Sequence, residues 1–255
     1  MPRASVFVCF FLFISAITAC QKHKTESPVP PESRQMIVVI TPSFNEPDAR
    51  LFRFERAGGS SNWQMIGDAI PAIVGKNGLG WGIGLHNLQN REEPVKQEGD
   101  GRSPAGVFKL GEAFGYALAD SMVELKIPYI HVRELVECVD DQDSRFYNQI
   151  VERDEVDSVD WQSSERMWRG KIWYEQGVVV EHNRNPVTKG AGSCIFLHNW
   201  AGEDDSTSGC TAMDPVDMME IIYWLDAALY PLLVQLPEPV YRRFKNSWEL
   251  PAIKK

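Results

Sequence analysis

Close cysteine pairs are missing from this sequence, as are a basic excess, an internal repeat and any apolar run long enough to span a bilayer. Without C-x2-C spacing there is no zinc framework. A net charge of −9 with no basic stripe disfavours a nucleic-acid partner. Gly99 to Phe108 is dense in glycine, but it has neither G-x-G-x-x-G spacing nor the lysine of a phosphate-binding loop, so by itself it reads as a tight turn entering a strand. The acidic stretch Asp140 to Asp160 lacks the central glycine and final glutamate of an EF-hand and reads as a solvated loop over helix ends. The sequence gives no sign of a metal or an organic cofactor, and it is silent on protein partners.

The N-terminus carries Arg3, then the apolar run Val6 to Ile14, then small residues. This is a secretory signal over 1–19. Ile17-Thr18-Ala19-Cys20 matches the bacterial lipobox, in which the cysteine thiol takes a diacylglycerol before cleavage, so Cys20 is the expected lipidation site and membrane anchor. A soluble secreted protein with a chance cysteine is the competing reading. The small residues before Cys20 and the polar linker after it favour the anchor. Gln21 in place of aspartate points to the periplasmic face of the outer membrane as the location in the cell envelope. Residues 20–35 are rich in Pro, Ser, Lys and Glu and read as a flexible tether. The folded domain is expected over 36–230, with 231–255 as a C-terminal surface extension.

From Met36 to Gly84 short apolar or alternating runs are broken by Gly, Asn and Pro, which is the pattern of strands and hairpins; Ala57 to Asn62 has the composition of a hairpin loop. Ser193 to His198 alternates as a strand, placing Cys194, Phe196 and His198 on one face. Asp214-Pro215-Val216-Asp217 begins a helix, with Asp214 as N-cap and Pro215 first inside. Met218, Ile221, Ile222, Leu225 and Leu229 continue it at helical spacing.

Of five cysteines, Cys9 leaves with the signal and Cys20 takes lipid, so Cys138, Cys194 and Cys210 remain. An odd number leaves at least one thiol unpaired in an oxidising compartment. Cys138 could pair with Cys194 and leave Cys210 free. A cysteine nucleophile needs a base near its sulfur and donors for the oxyanion it creates. His198 ends a strand and Cys210 follows twelve residues later, close enough to meet if the loop folds back. Gly209 permits close approach of a carbonyl, making the amides of Gly209 and Cys210 the natural oxyanion donors, with Ser208 positioning the loop. On spacing alone, a buried structural cysteine beside a satisfied core histidine explains the pair equally well.

Two motifs break that balance. Gly101-Arg102-Ser103-Pro104-Ala105-Gly106-Val107-Phe108, and His198 followed by Ser208-Gly209-Cys210, together resemble the L,D-transpeptidase catalytic domain of YkuD type over Gly99 to Leu225. The resemblance implies a mostly-β sandwich or barrel with a few packed helices, one of them after the cysteine. It implies that Cys210 is the nucleophile, His198 the general base and a peptidoglycan stem peptide the substrate, with a main-chain carbonyl or small residue orienting the histidine. A thioester on Cys210 would pass to an amine, giving a crosslink, or to water, giving trimming. An amidase acting on wall peptides and a non-catalytic wall-binding lipoprotein are the alternatives. Asn199 and Ala212 depart from the family's usual glycine after the histidine and arginine after the cysteine, which leaves the acceptor open. Arg102, His182 and Asn199 are weaker candidates for the substrate cleft, whereas Cys194 reads as a small buried strand residue and His86 and His131 as ordinary.

Overall fold

The computed structural model describes residues 27–253 apart from 60 and 88–91, together with Met1. The signal sequence and Cys20 lie outside the described residues. In chain order the strands are β1 (Gln35–Thr41), β2 (Asp48–Glu55), β3 (Gln64–Ile73), β4 (Leu79–Trp81), β5 (Ser103–Gly115), β6 (Tyr129–His131), β7 (Val136–Val139), β8 (Ile150–Glu152), β9 (Ser164–Arg166), β10 (Gln176–Val180), β11 (Phe196–Asn199) and β12 (Thr211–Met213). Helix α1 (Pro215–Trp224), β13 (Leu232–Pro237) and α2 (Glu238–Phe244) complete the order. The fold is mostly β.

The main sheet runs β10-β11-β12-β3-β2-β1-β13-β5, and β5 pairs back with β10, so the sheet closes on itself. Closure removes the free edges that would otherwise expose unpaired amides. β1 is apolar along its length because it lies between antiparallel β2 and parallel β13, and Met36 to Val39 are fully buried. The expected hairpin joins β2 to β3 with Glu55 opposite Gln64.

Several boundaries differ from the sequence reading. The segment from Pro231, expected at the surface, supplies β13 between β1 and β5, and Leu232 to Leu236 are buried. Its Leu-Leu-Val-Gln-Leu run belongs to the core. At the other end the tether is already packed before Gln35: Val29 and Ser33 are buried, and the Arg56 guanidinium donates to the carbonyls of Pro30 and Ser33. Helix α1 begins as expected, with the Asp214 carboxylate accepting the Val216 amide, and buries Met218, Ile221 and Ile222. It stops at Trp224 rather than reaching Leu229. Asp226 starts a separate 3-10 turn over Ala227–Leu229 by capping Ala228, while its own amide donates to Gln35. The acidic stretch after Asp140, expected as a solvated loop, is in part a strand. It contains β8, which with β7 and β9 forms a three-stranded sheet.

Candidate functional site

The closed sheet brings the two motifs together. β11 and β12 are parallel neighbours with Leu197 opposite Thr211 and His198 opposite Ala212, so Cys210 enters beside Phe196. The Phe196 amide donates to the Cys210 sulfur at 3.3 Å, and the thiol donates to the Cys194 carbonyl at 3.4 Å. Cys210 and His198 line one cleft of about 410 Å³ with Lys96, Glu98, Asp140, Glu165, Arg169, Trp173 and Tyr174.

Four side chains fix the cysteine. Ser103 and Thr207 hydroxyls both donate to the Cys210 carbonyl, at 2.9 and 2.6 Å. The Ser103 hydroxyl also accepts the Gly75 amide. Thr211 donates to the buried Gln235 amide oxygen at 2.7 Å, and the Gln235 nitrogen donates to the Pro104 carbonyl. The Gly101-to-Phe108 motif thus works through Ser103 and Pro104 as a brace for the cysteine strand. Gly209, at φ +156°, stands where a Cβ would come within 3.1 Å of the Arg102 carbonyl. Among the described residues, no protein acceptor takes the Gly209 or Cys210 amide hydrogen.

The histidine is oriented by its own neighbour. His198 Nδ1 lies 2.6 Å from the Asn199 carbonyl, which can only accept, so Nδ1 carries the proton and Nε2 keeps the lone pair. The Tyr174 ring meets the imidazole edge-on at 5.3 Å. Burial lowers the His198 pKa to about 4, against the raising effects of the Asn199 carbonyl and Asp205. Burial likewise pushes the Cys210 thiol up to about 12, partly opposed by the Phe196 amide. At neutral pH the resting pair is therefore a thiol and a neutral imidazole, rather than a thiolate–imidazolium pair.

Cys138 and Cys194 are disulfide-bonded and Cys210 is free. Cys194 is not a strand residue as its alternation implied. It precedes β11 with φ +54°, and that turn aims its carbonyl at the thiol. Through the disulfide, β7 of the small sheet is fastened to the wall of the cleft that holds Cys210.

The other sequence candidates lie elsewhere. His182 is buried against the fold, accepting the Ile83 amide at Nδ1 and donating from Nε2 to the Ala191 carbonyl, so it does not line the cleft. Arg102 anchors loops through the carbonyls of Phe44 and Leu79 and the Asn45 side chain. The Asn199 side chain is wholly buried, holding Ile172 and Gln176 and thereby the turn that delivers Trp173 and Tyr174. Ser208 lines the cleft but is exposed, and the loop-positioning hydroxyl expected there belongs to Thr207 instead. His86 is an interior ring among Trp81, Phe108 and Trp248. Ser103, Thr207, Thr211, Gln235 and Tyr174 went unassigned in the sequence. Gln235 alone carried a signal, as a polar residue inside an apolar run.

A closed β-rich domain whose free thiol shares a polar cleft with a neutral histidine is equipped for thiol chemistry on a polar substrate. The family model of the L,D-transpeptidase catalytic domain (YkuD) matches residues 44–234, and the chain belongs to that family. Among solved structures, the helical cell shape determining protein Pgp2 from Campylobacter jejuni is similar at 11% identity and a TM-score of 0.36, over 80% of this chain and 48% of that one. The chain thus spans about half the length of that protein. A search of curated proteins finds no significant match.

The buried thiol has a measurable consequence. A raised pKa lowers the thiolate fraction at neutral pH, so iodoacetamide should alkylate Cys210 more slowly than an ordinary free cysteine at pH 7, and the rate should keep climbing beyond pH 9. Mass spectrometry of the modified residue gives that profile. A plateau reached below pH 8 would contradict the neutral pair.

Proposed function

We propose that this protein carries out cysteine-dependent acyl transfer on peptidoglycan stem peptides through a thioester on Cys210. The observation that supports this most strongly is the placement of the free Cys210 thiol in the same cleft as a histidine whose Nδ1 is held by the Asn199 carbonyl. Membership of the L,D-transpeptidase family points to the peptide substrate.

In this reading His198 Nε2 takes the thiol proton as the sulfur attacks the peptide carbonyl, because neither group is charged beforehand. The sulfur–carbon bond forms while the carbonyl oxygen gains the negative charge. The unengaged amides of Gly209 and Cys210 receive that oxyanion. Collapse of the intermediate expels the amine, which carries away the proton held by His198 and leaves the thioester. An acceptor amine then gives a crosslink, and water gives a trimmed peptide. The cleft carries both signs of charge, which suits peptides bearing amines and carboxylates.

The protein is further proposed to be anchored in the cell envelope, on the periplasmic face of the outer membrane, by lipid on Cys20, on the strength of the Ile17-to-Cys20 sequence. A Cys20→Ala chain should then move from the membrane to the soluble fraction, and an unchanged distribution would overturn the anchor.

Purified protein incubated with tetrapeptide muropeptides should give diamino-acid-bridged dimers. Cys210→Ala should abolish the product and the covalent adduct, and His198→Ala should slow the reaction by roughly 10²- to 10⁴-fold. Tripeptides alone would transfer the assignment to trimming. Product that survives Cys210→Ala would sink the thioester.

A further inference from the structure

We propose that the Cys138–Cys194 disulfide positions the nucleophile: with the bridge closed Cys210 is seated for acyl transfer, and reduction of the bridge by a dithiol unseats the sulfur and slows the reaction. This inference rests on the acyl-transfer reading above and names a control on that same site.

Among the described residues the Cys210 sulfur makes two hydrogen bonds, one from the Phe196 amide and one to the Cys194 carbonyl. Both partners flank Ile195 at the entry to β11, the strand that carries His198. The seat is therefore only as firm as the turn at Cys194. That residue holds φ +54°, a left-handed region that side chains with a Cβ seldom occupy. Something outside the turn has to keep it there.

The ties of Cys194 run to the small sheet. Its sulfur is bonded to Cys138 in β7, and its amide donates at 2.9 Å to the side chain of Asn148, which lies between β7 and β8. Asn148 is itself fixed, donating to the carbonyls of His182 and Asn183, so the amide of Cys194 stays in place whether or not the bridge is closed. The carbonyl has no such independent restraint. Rotation about the N–Cα bond moves the Cβ and the carbonyl together, so a bridge that fixes the Cβ also fixes the carbonyl under the thiol.

The bridge is also placed where a reductant entering the cleft reaches it. Cys138 is buried in the apolar cluster that holds Phe196 and Cys210, whereas Cys194 is partly buried and lines the cleft. A dithiol arriving there meets Cys194 first. Its thiolate attacks the Cys194 sulfur, Cys138 leaves as a thiolate and takes a proton, and the second thiol of the reductant displaces Cys194 as the reductant closes to its own disulfide. Two electrons and two protons pass to the cysteine pair. Cys194 is then free to relax to negative φ, which withdraws the acceptor of the Cys210 thiol hydrogen and lets water into the cluster. Both changes favour the thiolate, so Cys210 becomes easier to alkylate while acyl transfer slows.

The test compares the full chain with its bridge closed and after treatment with dithiothreitol, the reductant being removed without air before assay. On tetrapeptide muropeptides the reduced chain should lose roughly ten- to a hundredfold in kcat with KM nearly unchanged, as a displaced nucleophile requires. Iodoacetamide should modify its Cys210 severalfold faster at pH 8, followed by mass spectrometry of that residue. Reoxidation should reverse both effects, and Cys138→Ala with Cys194→Ala should reproduce them permanently. A bridge that merely braces the cleft wall would raise KM and leave kcat as it was, and this result would overturn the proposal. Unchanged kcat in the reduced chain would overturn it too, with the acyl-transfer reading left standing. So would loss of the cooperative thermal transition on reduction, since the effect would then be unfolding. If the bridged chain makes no product, the acyl-transfer reading falls, and the alkylation rate still decides whether the bridge seats the sulfur: an equal rate in both states would overturn that as well.

Discussion

The parallel pairing of β11 with β12 is the constraint on which the site depends. Cys210 follows His198 by twelve positions, and the register that sets His198 opposite Ala212 places Cys210 beside Phe196, so that both residues line one cleft. The register is held from below by side chains remote in sequence. Ser103 comes from the start of β5, Thr207 from the loop itself and Gln235 from β13 near the C-terminus. Because β13 lies between β1 and β5 in a closed sheet, Cys210 is tied through Thr211 and Gln235 to a buried strand of the barrel. A shift of one residue along β12 would turn Cys210 away from the cleft, since neighbouring strand residues face opposite sides.

The same burial sets the chemistry. Taking both groups out of water disfavours charge on each, so the thiol is held up and the imidazole down. What survives is directional hydrogen bonding. The Asn199 carbonyl selects the tautomer, and the Cys194 carbonyl and Phe196 amide seat the sulfur. The disulfide between Cys138 and Cys194 extends that seat to the small sheet, whose neighbouring residues Asp140, Glu165 and Arg169 make the cleft's charged wall.

Much of this was legible in the sequence where the signal is local. The β2–β3 hairpin and the Asp214 cap follow from short-range pattern, whereas spacing left His198 and Cys210 open and the two family-like motifs pointed to their sharing one cleft. The Cys138–Cys194 bridge was a stated option that the structure adopts. What escaped depends on contacts between distant segments. The β13 run looked like a tail because three nearby prolines resemble a surface wrap, whereas its partners β1 and β5 lie far upstream. His182 and Arg102 have the chemistry of cleft residues, yet the backbone groups around them satisfy their side chains first. The histidine's orienting partner, the carbonyl of Asn199, is main chain, and no side-chain pattern reports it.

The proposed chemistry requires His198 to rest as a neutral imidazole with its free lone pair at Nε2. Nitrogen NMR of the protein labelled at the histidine rings, with His198 assigned by its loss in His198→Gln, tests this most directly. The account predicts a protonated Nδ1 and an unprotonated Nε2 that persist unchanged from pH 5 to pH 8, given a pKa near 4. Protonation of both nitrogens at pH 7, accompanied by a Cys210 thiolate, would contradict it.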